Sequence, residues 1–347
     1  MAHDSKGHPQ SSGDTAIVEA FGSRKCSKLI EQVASKSLII RRNALSVLCN
    51  EMHNPTSVQG CCEAGMVTIL NTYISSSDDE GTRERSSQAL VTAAMDAIGR
   101  EFMLRNSTAS IIAAALDDSN VLVRSNVYEA LLNFSRGPSP YLKSIIAAKY
   151  ASMLVAKSAN EVSEVQPLVL RLLYNCIKDE TGMEDALSAH AVEVTIRLLG
   201  ATVPTTVQKE AAATLGFLCF ADTAKMEAIK GGAVEALTGV LSSGHVDIQA
   251  AAVGALMVIT TTDEAKTLIL SAGGIAPIIH LLTVKSSRLL LLNVLKTIAN
   301  VAVNPAVRDI LKTSEIVLPN LANLEEEADP LIAKHAATAR SAVLWTP

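Results

Sequence analysis

Along most of the chain, apolar residues recur at steps of three and four between short polar breaks, the spacing that lays one stripe along a helix. The stripe repeats. Leu48, Leu90, Leu131, Leu173, Leu215, Leu256 and Ile298 follow one another at intervals of 42, 41, 42, 42, 41 and 42 residues. Three residues before these anchors stand Leu45, Ser87, Tyr128, Leu170, Ala212, Val253 and Leu295, and three after them Glu51, Ala93, Phe134, Cys176, Leu218, Ile259 and Val301. All but Ser87 and Glu51 suit a core, so the shared phase predicts seven helices burying the same face. Seven residues before the anchors, Arg41, Arg83, Arg124, Gln166, Gln208 and Gln249 are expected to open each helix on its solvated side; Leu291 breaks the rule. Seventeen residues after the anchors come Gly65, Ser107, Ala148, His190, Gly232, Gly273 and Glu315, mostly small or polar, where one helix ends and the chain turns. A second apolar stretch follows each of them, MVTILNTYI and AVEALTGVL among them.

A period near 42 residues with two long helices per unit, the first often preceded by a short one, is the armadillo/HEAT signature. One such unit cannot bury its own apolar stripe, so neighbours stack and share a core. The expected fold is therefore all-α: an armadillo/HEAT-type right-handed superhelical solenoid of about seven repeats plus caps. Residues 1–14 read as a disordered polar leader, 15–36 as an N-terminal capping helix, 37–329 as the armadillo repeats and 330–347 as a truncated C-terminal capping repeat. Trp345, the only tryptophan, is expected to plug the exposed end of the core.

Composition narrows the function. Hydrophobic residues make up 48% of the 347 and aromatics only 3%, which suits closely packed helices of small and branched aliphatics. A formal net charge of -5 offers no broad attraction for nucleic acid or an anionic membrane. No apolar run approaches the roughly 18 residues of a membrane-spanning helix, and the leader MAHDSKGHPQSSGDT lacks the apolar core of a signal peptide. A soluble protein made in the cytoplasm is expected. The six cysteines form no CxxC pair and share no spacing with histidines, so they read as small core residues rather than metal ligands or disulfides.

Catalysis needs a nucleophile, a base and an oxyanion donor converging in a pocket, and no motif here supplies them. The seven histidines include no HExxH. His190 and the pairs Gly231-Gly232 and Gly273-Gly274 stand at the turn of the repeat, and the acidic runs Asp78-Asp79-Glu80 and Glu325-Glu326-Glu327 stand in connectors. No enzyme, cofactor, metal site or small-molecule substrate is expected.

The informative feature is a second stripe, two residues to either side of the anchors, which in armadillo folds faces a groove. Two after the anchors stand Asn50, Thr92, Asn133, Asn175, Phe217, Val258 and Asn300; two before stand Ser46, Gln88, Glu129, Arg171, Ala213, Gly254 and Lys296. Asparagine is a mediocre helix former, so four at one phase ask for a reason. A carboxamide can clamp the backbone of an extended peptide, or it can hydrogen-bond within the repeats. The groove also divides: the first four repeats are polar, whereas Ala213, Phe217, Gly254 and Val258 form an apolar strip fit for a partner helix. Phe217 filling core space is the competing reading.

Several segments carry a more specific likeness. Ala20-Phe21-Gly22 with Ser27-Lys28-Leu29, the opening repeat IIRRNALSVLCNEMHNP, GALMVITTTDEAK, and the terminal Trp345-Thr346-Pro347 together resemble the radial spoke armadillo-repeat family, also described as the rhabdoid tumour deletion region family. The resemblance covers nearly the whole chain beyond the leader and is weakest around residues 80–165. It implies a structural subunit of the radial spokes in the axoneme of motile cilia and flagella, part of the cytoskeleton. The implied partners are other radial spoke proteins, including the long helical scaffold subunit; no catalytic residues are implied.

Two other classes share the fold. A nuclear-import-like cargo adaptor would carry tryptophans four residues before its groove asparagines, to flank lysine stems. Ser46, Glu129, Arg171 and Lys296 occupy those places instead. A ubiquitin-ligase arrangement would need an appended catalytic or recruiting domain, and the chain has no room for one.

Overall fold

A computed structural model describes residues 24–346, and all regular structure among them is helical. The leader 1–14 and the start of the 15–36 capping segment lie outside the described residues; the helix Lys25–Val33 lies within them and buries Leu29, Ile30 and Val33. The chain divides into two compact units, one ending at Ala148 and the other starting at Lys149.

In the first unit the anchor-bearing helices Leu38–Glu51, Glu80–Met95 and Val121–Phe134 pack each on the next. In the second, Gln166–Cys176, Thr205–Leu218, Val246–Ile259 and Arg288–Val301 do the same, and Pro330–Leu344, which carries none of the seven anchors, packs on Arg288–Val301. All seven anchors are no more than 1% exposed. Each unit is thus built from armadillo-type helical repeats sharing a core, as the common phase requires.

Ser87 is buried with the rest of its stripe, contrary to its polarity, because its hydroxyl donates to the Glu84 carbonyl at 2.8 Å and accepts from Asn126 Nδ2 at 3.0 Å. Glu51 stays at the edge, where Lys25 Nζ reaches it at 2.6 Å and the Ser57 hydroxyl at 3.2 Å.

Capping residues fix where helices begin. Asn54, Asp96, Asp179, Thr262 and Asn304 stand at one phase, six residues past their anchors, and each side chain accepts an amide of the following first turn. Asp79, expected in a solvated connector, caps Glu80–Met95 and pairs with Arg42.

The turn expected seventeen residues past each anchor is a left-handed one at Gly65 (φ 90°), Ser107 (51°), His190 (64°), Gly232 (81°) and Gly273 (74°). In the third repeat it falls one residue later, at Lys149 (φ 62°) rather than Ala148, and Glu315 does not adopt it, because Pro305–Thr313 ends in extended backbone at Ser314.

Two expectations fail for physical reasons. The residues seven before the anchors do not face solvent: Gln166, Gln208 and Gln249 are buried and donate to the carbonyls of Ser158 (2.8 Å), Gly200 (2.8 Å) and Leu241 (3.0 Å). Arg41, Arg83 and Arg124 reach Ser35, Ser77 and Asp118 carbonyls at 2.9, 2.9 and 2.7 Å. A helix end leaves carbonyls without intrahelical partners, and this position satisfies them from the following helix. Trp345, expected to plug the core, is 55% exposed and stacks over the Arg308 guanidinium at 4.8 Å, while Ile332, Ala336, Ala339 and Val343 close the core.

The six cysteines are free, and four are fully buried, with burial pushing Cys62, Cys176 and Cys219 up to about 12.

Candidate protein-binding groove

The positions two before and two after the anchors share a face of each anchor-bearing helix. In the first unit that face is polar. Ser46, Asn50, Gln88 and Glu129 are exposed, Arg85 Nε donates to the Ser46 hydroxyl at 3.0 Å, and Asn133 is 7% exposed.

The second unit is different in kind. Arg171 is exposed, and Lys178 Nζ donates to Asn175 Oδ1 at 2.9 Å while lying 4.6 Å over the Tyr174 ring. Beyond them Ala213, Phe217, Gly254 and Val258, placed on one strip by spacing alone, line a single cleft of about 420 Å³ together with Tyr174 and Leu289. Phe217 is half-buried in its wall. Its ring meets Tyr174 edge-on at 5.3 Å and Phe220 at 5.6 Å, so three aromatics brace one another where most of the chain has none. Phe220 at one rim and Leu289 at another are 63% and 62% exposed.

Glycines shape the cleft. A Cβ on Gly216 would stand 3.0 Å from the Ala255 Cα, so glycine lets Thr205–Leu218 and Val246–Ile259 approach closely. A Cβ on Gly254 would meet Asn293 Nδ2 at 2.8 Å; that amide instead donates to the Ala250 carbonyl at 3.0 Å. Lys209 and Asp247 form an ion pair of 3.3 Å at the edge. Burial holds the Glu210 carboxyl above the usual range, against the pull of Lys209 and Arg171.

At Asn300 the carboxamide makes a bond within the repeats, the second of the two roles open to it. Its Nδ2 donates to the Met257 carbonyl at 2.9 Å, one repeat back, so the amide joins Arg288–Val301 to Val246–Ile259. Lys296, four residues earlier, is half-exposed.

A second cleft, about 740 Å³, went unread in the sequence. Val303, Arg308, Thr338, Ala342 and Trp345 line it. Thr338 and Ala342 occupy the groove positions of an eighth helix whose anchor place, 42 residues past Ile298, is taken by Arg340. The signal was present: Phe220, Val303 and Trp345 each stand five residues past Leu215, Ile298 and Arg340. Arginine at the anchor place hid the register.

Among the described residues no three His, Cys, Asp or Glu side chains gather to hold a metal, and no helix is long and apolar enough to cross a membrane. His190 is exposed at its turn.

No family model matches the chain. It is distantly homologous to Radial spoke protein 14 of Chlamydomonas reinhardtii, 27% identical over 250 residues. The match covers 68% of this chain and 64% of that protein, so the chain spans less than two thirds of its relative's length. Among solved structures, an engineered protein superposes with a TM-score of 0.82 at 24% identity, covering 93% of this chain and 79% of the other. A designed armadillo repeat protein gives 0.58 at 21% identity, over 66% of this chain and 96% of its own. Another, solved with the peptide (KR)4, gives 0.57 at 22%, over 66% and 96%. The fold is that of armadillo repeats.

Proposed function

We propose that the protein is a non-catalytic structural subunit of the radial spoke in motile cilia and flagella, holding neighbouring spoke proteins, the helical scaffold subunit among them, through its groove and edges. The observation that carries this reading is the homology to a radial spoke protein over 250 residues. The geometry supports a binding role: an apolar cleft with aromatic walls and exposed rims is a surface suited to a partner's side chains. On this reading residues 37–329 are the repeat array, 330–347 its truncated cap, and the protein resides in the axoneme with no nucleic acid, membrane or small-molecule partner. Tagged protein in ciliated cells tests it: salt extraction of axonemes is expected to release it together with spoke subunits. A tag spread through the cytoplasm and absent from axonemes would overturn the proposal.

A second reading, a soluble armadillo adaptor for extended peptides, is favoured by the likeness to a designed repeat protein that holds (KR)4. It predicts that this chain binds the same peptide. The missing tryptophans beside Asn50, Asn133, Asn175 and Asn300 weigh against it.

A further inference from the structure

The two clefts of the second unit touch opposite ends of Arg288–Val301, one at Leu289 and Asn293 and the other at Ala302 and Val303, and Lys296 and Asn300 stand between them along the helix. The cleft linings include Phe220, Val303 and Trp345, 63%, 58% and 55% exposed, at equivalent positions of their repeats. Large side chains left in water at one phase, beside cavities, form a patch that another apolar surface would cover. The stretch between the clefts is positively charged. Burial, then the charges of Lys296 and Lys334, push His335 below its ordinary range. Among the described residues neither lysine has an ion-pair partner, whereas Lys209, Arg288 and Arg340 are paired with Asp247, Asp329 and Glu325.

This combination selects an occupant. The clefts touch the start and the end of Arg288–Val301, from Leu289 to Ala302, roughly 20 Å of helix, which a partner helix lying along it covers in about 13 residues. An extended peptide would need a row of side-chain donors for its backbone, and between the clefts the Asn300 amide, which already gives one N–H to the Met257 carbonyl, is the one groove asparagine. A helix satisfies its own backbone and needs only apolar anchors and a counter-charge. We propose that this face of the second unit docks an amphipathic helix of about four turns from a partner protein, with an apolar cluster at each end of its buried face and carboxylates between them opposite Lys296 and Lys334. The proposal deepens the scaffold reading and rests on its premise that the groove binds protein.

The test uses the full chain and labelled synthetic helical peptides of about 18 residues, with leucine and phenylalanine at both ends of one face and two glutamates between, against a twin with two lysines and against (KR)4. Anisotropy titration is expected to show the glutamate peptide binding at least about tenfold more tightly than either comparator. The double variant Lys296→Glu, Lys334→Glu is expected to reverse the order of the twins, and Trp345→Ala, which removes an exposed ring, to weaken binding about tenfold. Equal binding of the twins, no binding of either, or preference for (KR)4 overturns the proposal. Glutamate-peptide binding by a protein that never enters axonemes would support this inference and defeat the spoke reading; co-extraction with spokes but no peptide binding would do the opposite.

Discussion

Gln208 Nε2 lies 2.8 Å from the carbonyl oxygen of Gly200, so a side chain at the start of one anchor-bearing helix closes the end of the segment before it. Gln166 and Gln249 do the same for Ser158 and Leu241. Buried carbonyls left without a donor are costly, so Gln208→Ala is expected to destabilise the protein by about 1–2 kcal/mol. Gln88→Ala, on the exposed face, should stay within about 0.5 kcal/mol. Urea denaturation followed by circular dichroism compares the two, and equal midpoints would refute the closing role.

His190 takes the left-handed conformation that Gly65, Gly232 and Gly273 fill elsewhere. A Cβ there crowds the backbone, so His190→Gly is expected to stabilise by about 0.5–1 kcal/mol, after the extra freedom glycine gains in the unfolded chain. Gly232→Ala is expected to cost about 1 kcal/mol or more. Thermal melting of both variants should move in opposite directions.

Gly216 sits 3.0 Å, measured from its absent Cβ, from the Ala255 backbone. Gly216→Val should force the two helices beneath the apolar cleft apart and cost about 1–3 kcal/mol. Binding of the glutamate peptide should weaken with it. Unchanged stability would mean that the helices can separate freely.

Arg83 holds Asp118 at 2.6 Å, with both side chains largely buried. Burial pushes the Asp118 carboxyl up, but Arg83 and the Asn120 amide outweigh it, and the group titrates below its ordinary range. A carboxylate depressed in the folded state contributes stability that is present above its unfolded value of about 3.9 and is lost as pH falls through the folded one. Asp118→Asn is expected to destabilise by about 2 kcal/mol at pH 7, with the gap from wild type shrinking as the pH falls below the unfolded value of about 3.9. A gap independent of pH would show that the pair does not supply it.

The fold was legible because its driving pattern is periodic: Leu48 to Ile298 recur at 41 or 42 residues, and all seven are buried. Ala213, Phe217, Gly254 and Val258 could be grouped for the same reason, since a helical face follows from spacing. The buried roles of Gln166, Gln208 and Gln249 were not legible. Side-chain polarity alone cannot distinguish a group that faces water from one that faces an orphan carbonyl. Asn300 was ambiguous likewise, for a carboxamide serves a guest peptide or the neighbouring helix equally well.

By itself the sequence determined which residues share a face and that the face returns every 41 or 42 residues from Leu48 to Ile298, because helical geometry converts spacing into direction without reference to any neighbour. Only the tertiary structure decided which polar side chains find partners inside, how closely Gly216 lets two helices approach, and that Trp345 stands beside a cleft rather than in the core. Those outcomes depend on distances between segments some forty residues apart in the chain, which helix packing sets and local pattern does not.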